Sequence, residues 1–168
     1  MTGNARNILV VAHARRPDTV LAARRVIAAV AAGGATAVLP PDDDELRAEL
    51  GEVGRLAILG AEVAVTELEL AVVLGGDGTI LRAAELVRTG TAPILGINMG
   101  HVGFLAEIEA DVIDDAMRRV LAGDYAVEER MTLDVEVRGD AGELIYETWA
   151  LNEATVEKAS RERMLEVV

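Results

Sequence analysis

Short unbroken aliphatic runs alternate along this chain with longer stretches whose apolar positions recur every three or four residues. Asn7-Ile8-Leu9-Val10-Val11-Ala12, Ala35-Thr36-Ala37-Val38-Leu39, Leu70-Ala71-Val72-Val73-Leu74 and Pro93-Ile94-Leu95-Gly96-Ile97 are of the first kind. Runs this short, with no polar alternation, predict strands buried on both faces, as in a parallel sheet. Pro17 and Asp18 open a helix with Val20, Ala23, Ile27 and Val30 on its inner face, and Gly33-Gly34 ends it. A second helix follows Leu74, capped by Thr79, with Ile80, Leu81, Ala83, Ala84, Leu86 and Val87 as its stripe and Gly90 closing it. A third starts at Asp111 as cap and turns Val112, Ile113, Ala116, Met117, Val120 and Leu121 inward, with Gly123 after it. Strand, helix, strand within one sheet demands right-handed parallel crossovers, so this part reads as α/β.

The pattern changes near Glu129-Arg130. Met131-Thr132-Leu133-Asp134-Val135-Glu136-Val137 alternates with period two, the signature of a half-exposed strand. Residues 139–142 form a turn, 143–154 return as a strand, and Met164 to Val168 begins another. This divides the chain into an α/β domain at 1–129 and an antiparallel region at 130–168, cut short within its domain. Between Leu46 and Val65 the pattern is least legible: a short helix, and a short strand at Glu62-Val63-Ala64-Val65.

Composition narrows the chemistry. At 168 residues and 51% apolar, the chain suits one domain with part of a second and has enough apolar surface for a core. A formal net charge of −13 argues against nucleic acid and against an anionic membrane surface, both of which select Lys and Arg. A phosphate ligand would have to be held locally, by main-chain N–H groups, a few arginines and a metal. With no cysteine there is neither a disulfide framework nor a thiolate metal site. The start lacks a signal-peptide layout, and no apolar run approaches the ~20 residues of a membrane span, so the expected location is cytoplasmic. Asp42-Asp43-Asp44-Glu45 could bind a cation, but a solvated helix start is the favoured reading.

Two glycine-bearing loops leave predicted strands at what would be the carboxyl edge of the sheet: Gly75-Gly76-Asp77-Gly78-Thr79, and Asn98 to Phe104. Ligands of open parallel sheets bind beyond that edge. Glycines at a strand-to-helix turn tolerate unusual backbone angles and admit a ligand close to the main chain, and N–H groups at a helix start attract anions. A carboxylate in a phosphate cradle is anomalous. Asp77 is therefore read as a base aimed at a hydroxyl, with a bland turn carrying an Asp as the competing reading.

Gly75-Gly76-Asp77-Gly78-Thr79 resembles the signature shared by NAD kinases, diacylglycerol-type lipid kinases and, more distantly, phosphofructokinases. The loop from Gly96 to Leu105 is similar to the second NAD kinase motif, and Ala150-Leu151-Asn152-Glu153 to the third. Three motifs in order favour NAD kinase over the lipid kinases, which share mainly the first. The resemblance implies a Rossmann-like parallel sheet followed by the first strands of a β-sandwich. It also implies transfer of a phosphoryl group from ATP, or from polyphosphate, with magnesium, to the 2′-hydroxyl of the adenosine ribose of NAD.

By that resemblance Asp77 takes the hydroxyl proton, while Gly75, Gly76, Gly78 and Thr79 hold the donor. Phe104 packs on the adenine, or else plugs its loop over the core. Asn98 lines the same rim, and Asn152 and Glu153 bond the nicotinamide-side ribose and carboxamide. Arg82 and Arg163 approach the diphosphates or remain surface arginines. His101 could touch ligand; His13 is assigned no role. The implied partners are NAD, ATP and further copies of the chain. The alternatives are a truncated, catalytically weak nucleotide-binding module and a lipid kinase.

Overall fold

The computed structural model of the chain describes residues 6–51, 53–99, 108–109 and 112–157. They divide into two compact units, Met1–Val127 and Glu128–Val168.

In the first unit the elements are β1 (Asn7–Ala12), α1 (Pro17–Ala32), β2 (Thr36–Leu39), α2 (Asp44–Leu50), β3 (Leu56–Ile58), β4 (Leu70–Leu74), α3 (Asp77–Val87), β5 (Ile94–Asn98), β6 (Ile108–Glu109) and α4 (Ile113–Ala122). The strands form one parallel sheet in the order β3-β2-β1-β4-β5-β6. The unbroken aliphatic runs are explained by burial on both faces. Ile8, Val10, Ala12, Leu70, Val72 and Leu74 face a core closed by α1, α2 and α4. Leu9, Val11, Ala71 and Val73 face a second core beneath α3. A strand sandwiched in this way has no face on which a polar residue finds water.

Four sequence expectations need correction here. The helix after β4 begins at Asp77 with Gly76 as its N-cap, so Thr79 lies inside it and is not the cap. Its stripe is narrower than expected: Ile80, Ala83, Ala84 and Val87 are buried, whereas Leu81 is 40% exposed. The strand expected at residues 62–65 is only an isolated bridge between Leu59 and Val63; the paired strand is β3, upstream. Gly60, at φ +79°, turns the chain between them, a conformation for which glycine is the cheapest residue. Asp111 lies outside the described residues; α4 follows Val112, which is exposed and does not face inward.

The second unit holds an antiparallel hairpin, β7 (Leu133–Arg138) with β8 (Leu144–Ala150), joined through Gly139–Gly142. Leu133, Val137, Leu144, Ile145 and Tyr146 are all exposed. The strand expected from Met164 lies outside the described residues.

Candidate functional site

The site is assembled from the turn that leaves β4. Gly75 extends the ladder by donating its N–H to the Ile97 carbonyl at 3.0 Å. The first turn of α3 then closes onto Gly76, whose carbonyl accepts from Thr79 N–H at 3.0 Å and Ile80 N–H at 3.2 Å. The N–H groups of Gly75 and Thr79 are thus engaged within the protein. Asp77 and Gly78 are the first two helical positions, the place at a helix start where anions are favoured.

The three glycines of the turn serve space, not conformation, for none has a positive φ. A Cβ on Gly75 would fall 2.9 Å from Thr79 Cβ, so the threonine folds back over a residue that must be glycine. At Gly76 and Gly78 an added Cβ meets nothing within 4 Å. Both border open cleft, and a side chain there would fill room that a ligand can use.

That cleft, of about 540 Å³, is lined by three loops at the carboxyl edge. They follow β1 (His13, Ala14, Arg15), β2 (Asp43) and β4 (Gly76, Gly78, Thr79), with Arg82 reaching in from α3. β1 and β4 are neighbours at the point where the strand order reverses, the switch point at which open α/β sheets bind ligands. Arg82 donates to Asp42 at 3.0 Å and to Asp43 at 3.3 Å. Arg15 meets Glu45 at 3.4 Å. Arg16 bonds Asp18 at 2.8 Å and the Met99 carbonyl at 2.8 Å, tying the loop after β1 to the loop after β5. The Arg16 bond holds the Asp18 carboxyl below its usual range.

Of the residues singled out from sequence, Gly75, Gly76, Asp77, Gly78, Thr79 and Arg82 share this turn and its helix. Asn98, half-buried, ends β5 on the same edge, one strand over. Asn152 and Glu153 are exposed just beyond β8 in the second unit. Phe104, His101 and Arg163 lie outside the described residues. Sequence reasoning missed His13, Arg15 and Asp43. The first two follow a strand whose central place in the sheet is a tertiary fact. Asp43 was taken for part of a solvated helix start, which fits exposed Asp44 and Glu45 but not this residue, 7% exposed. Among the described residues no group of three or more His, Asp or Glu is placed to hold a metal ion. No described helix is long and apolar enough to cross a membrane.

A parallel sheet wound in both directions from a glycine-lined cleft at its switch point is the architecture of nucleotide-binding α/β proteins. Residues 57–125 match the family described as the ATP-NAD kinase N-terminal domain. The chain is 58% identical to the NAD kinase of Leifsonia xyli over 97% of its own length and 54% of the relative's. It is 46% identical to that of Thermobifida fusca over 97% of its own length and 52% of the relative's. The crystal structure of yeast NADH kinase complexed with NADH superposes with a TM-score of 0.71 at 20% identity, over 90% of this chain and 48% of that one. The chain is similar to NAD kinases along nearly all of its own length, and it spans about half the length of the curated relatives it matches.

Proposed function

We propose that this chain carries the phosphate-donor part of an NAD kinase site, for transfer from ATP to the 2′-hydroxyl of the adenosine ribose of NAD. The observation that carries this reading is the turn at the switch point. Gly76 and Gly78 leave the main chain bare toward the cleft, with Asp77 between them at the first position of α3. Donor phosphates lie against the helix start, where N–H groups and the helix dipole favour anions. The ribose oxygen attacks the γ-phosphorus, the bond to the β,γ-bridging oxygen breaks, ADP departs, and Asp77 accepts the hydroxyl proton. Magnesium arrives with ATP as part of that substrate and supplies charge neutralisation. In such a loose transition state the protein contributes chiefly positioning and electrostatics.

Asn98 at the end of β5, together with Phe104, Asn152 and Glu153, is assigned to the NAD side on motif position, and Arg163 is read as approaching the diphosphates. The region 130–168 is read as the opening of a β-sandwich. The assembly is read as a homo-oligomer in the cytoplasm, without a nucleic-acid or membrane partner, in keeping with the strongly acidic charge.

The test is incubation with magnesium, ATP and NAD, with NADP read by an NADP-specific dehydrogenase. Product that requires both substrates supports the kinase. NAD binding without product leaves a nucleotide-binding module, and phosphorylation of diacylglycerol in place of NAD reassigns the chain to the lipid kinases.

A further inference from the structure

We propose that Asp43 is a positioning residue that anchors Arg82 over the phosphate cradle, and that Asp42 is the partner a phosphate displaces. This rests on the reading of the cleft as a polyphosphate site and deepens it.

Asp43 is the N-cap residue of α2, a place where aspartate normally accepts an N–H of the helix it starts. Here it makes no such bond. Its carboxylate turns instead across the cleft to Arg82 Nη1 at 3.3 Å, linking residues 39 positions apart. The Asp43 side chain is 9% exposed, whereas that of Asp42, which meets Arg82 Nη2 at 3.0 Å, is 71% exposed. The two carboxylates are therefore not equivalent. A buried charge that loses its partner is costly, so Asp43 and Arg82 hold one another. An exposed ion pair is weak and exchanges readily with another anion.

Arg82 stands one turn along α3 from Gly78 and lines the same cleft as Gly76 and Gly78. A guanidinium presents its donors in a fixed plane, so fixing Nη1 on Asp43 also fixes the direction of Nη2. When donor phosphate enters, its oxygen takes the place of Asp42 on Nη2 while Asp43 keeps Nη1. A buried carboxylate in a phosphate site then has a purpose: it repels phosphate directly, but it orients the arginine that receives it.

The two adjacent aspartates consequently have opposite effects, which charge alone does not produce. The probe is inorganic triphosphate, titrated calorimetrically into the 168-residue chain. Asp43→Asn weakens binding about tenfold, the scale of one charge-assisted hydrogen bond. Asp42→Asn tightens it about twofold, by removing a weak competitor. In an Arg82→Ala background Asp43→Asn no longer weakens binding and instead tightens it, a reversal that a role in folding alone would not produce. Asp43→Glu keeps the charge but moves it by one methylene. It weakens binding too, and serves as the second variant if Asp43→Asn does not fold. Tighter binding from both Asp42→Asn and Asp43→Asn, or an unchanged Asp43→Glu, overturns the positioning role while leaving the phosphate site standing. Parent protein that does not bind triphosphate overturns the site and this role together.

Discussion

Arg6 and Arg82 stand at opposite edges of one sheet, and each faces acidic side chains, yet they are built for different ends. Arg6, just before β1, gives Nε and Nη2 to both oxygens of Glu69 at 2.7 and 2.5 Å. Its Nη1 goes to the Leu121 carbonyl at 2.7 Å, and Nη2 also reaches Val120 at 3.2 Å. The start of β1, the residue before β4 and the last turn of α4 are thereby tied together, with a cation placed where a helix C-terminus favours one. Arg82 has one buried partner and one exposed one, and it borders a cleft. The difference shows how a single pairing chemistry yields a strut where every bond stays inside the protein, and a receiver where one bond is exchangeable. Substitutions at Asp77 and Gly78, on the carboxyl edge, should then alter turnover or binding with little change in stability. Those at the amino edge should do the reverse.

The largest expected effect is at Asp77. In the kinase assay Asp77→Asn should lower turnover about 10²–10⁴-fold, the usual worth of general-base help, with the thermal midpoint nearly unchanged. Retained turnover would remove the base role; a large loss of stability would show that the carboxyl edge is structural after all. Next comes Gly78→Ala. The position has no positive φ and open space around it, so the fold tolerates the methyl and gains up to about 1 kcal/mol from helix propensity. Triphosphate affinity, measured by calorimetry, should nonetheless fall about tenfold as the methyl enters the ligand's room. A variant that is both less stable and unaltered in binding would break the division between edges.

How much of this was legible in the chain depended on where the information lay. β1 and β4 were read correctly because burial on both faces leaves an aliphatic run that few other environments produce. Residues 46–65 defeated pattern reading because α2, at seven residues, and β3, at three, each span fewer than two full periods of their pattern. The glycine turn was located with two reasons, unusual backbone angles and close approach of a ligand; none of the three glycines has a positive φ, so room is the reason that remains. Thr79 looked like a cap because threonines often are; its place over Gly75 is visible only in three dimensions. Asp43 was illegible for the same cause. Nothing in an acidic tetrad signals that one member is buried against an arginine from the opposite wall of a cleft. The motif residues beyond β5 and β8 were reached through family resemblance, and their chemistry rests on it.

At the amino edge the effects are smaller. Glu69→Gln removes the charge from a pair whose side chains are 32% and 27% exposed, so its cost is discounted for solvent to about 1 kcal/mol. That corresponds to roughly 4 °C in thermal midpoint, read by circular dichroism. Triphosphate affinity should stay at the parent value, and a loss there would mean that the strut also serves the cleft.

The smallest effect, and the one most specific to the strut, is its dependence on pH. The hydrogen bonds from Arg6 lower the Glu69 carboxyl below its ordinary range, against a desolvation that pushes the other way, and the guanidinium charge adds to the lowering. A carboxyl depressed in the folded state stabilises the fold above its unfolded pKa, and that contribution is lost as pH falls through the folded value. The gap in thermal midpoint between parent and Glu69→Gln should therefore be full near neutral pH. It should narrow on acidification through the carboxylate range, because the parent alone loses this contribution. Arg6 stays protonated throughout, its pKa raised chiefly by the bond to Glu69, so the narrowing reports the carboxyl alone. A gap that stays constant across that range would mean that Glu69 holds Arg6 by hydrogen-bond geometry without a net contribution from charge, and the contrast with Arg82 would then rest on exchangeability alone.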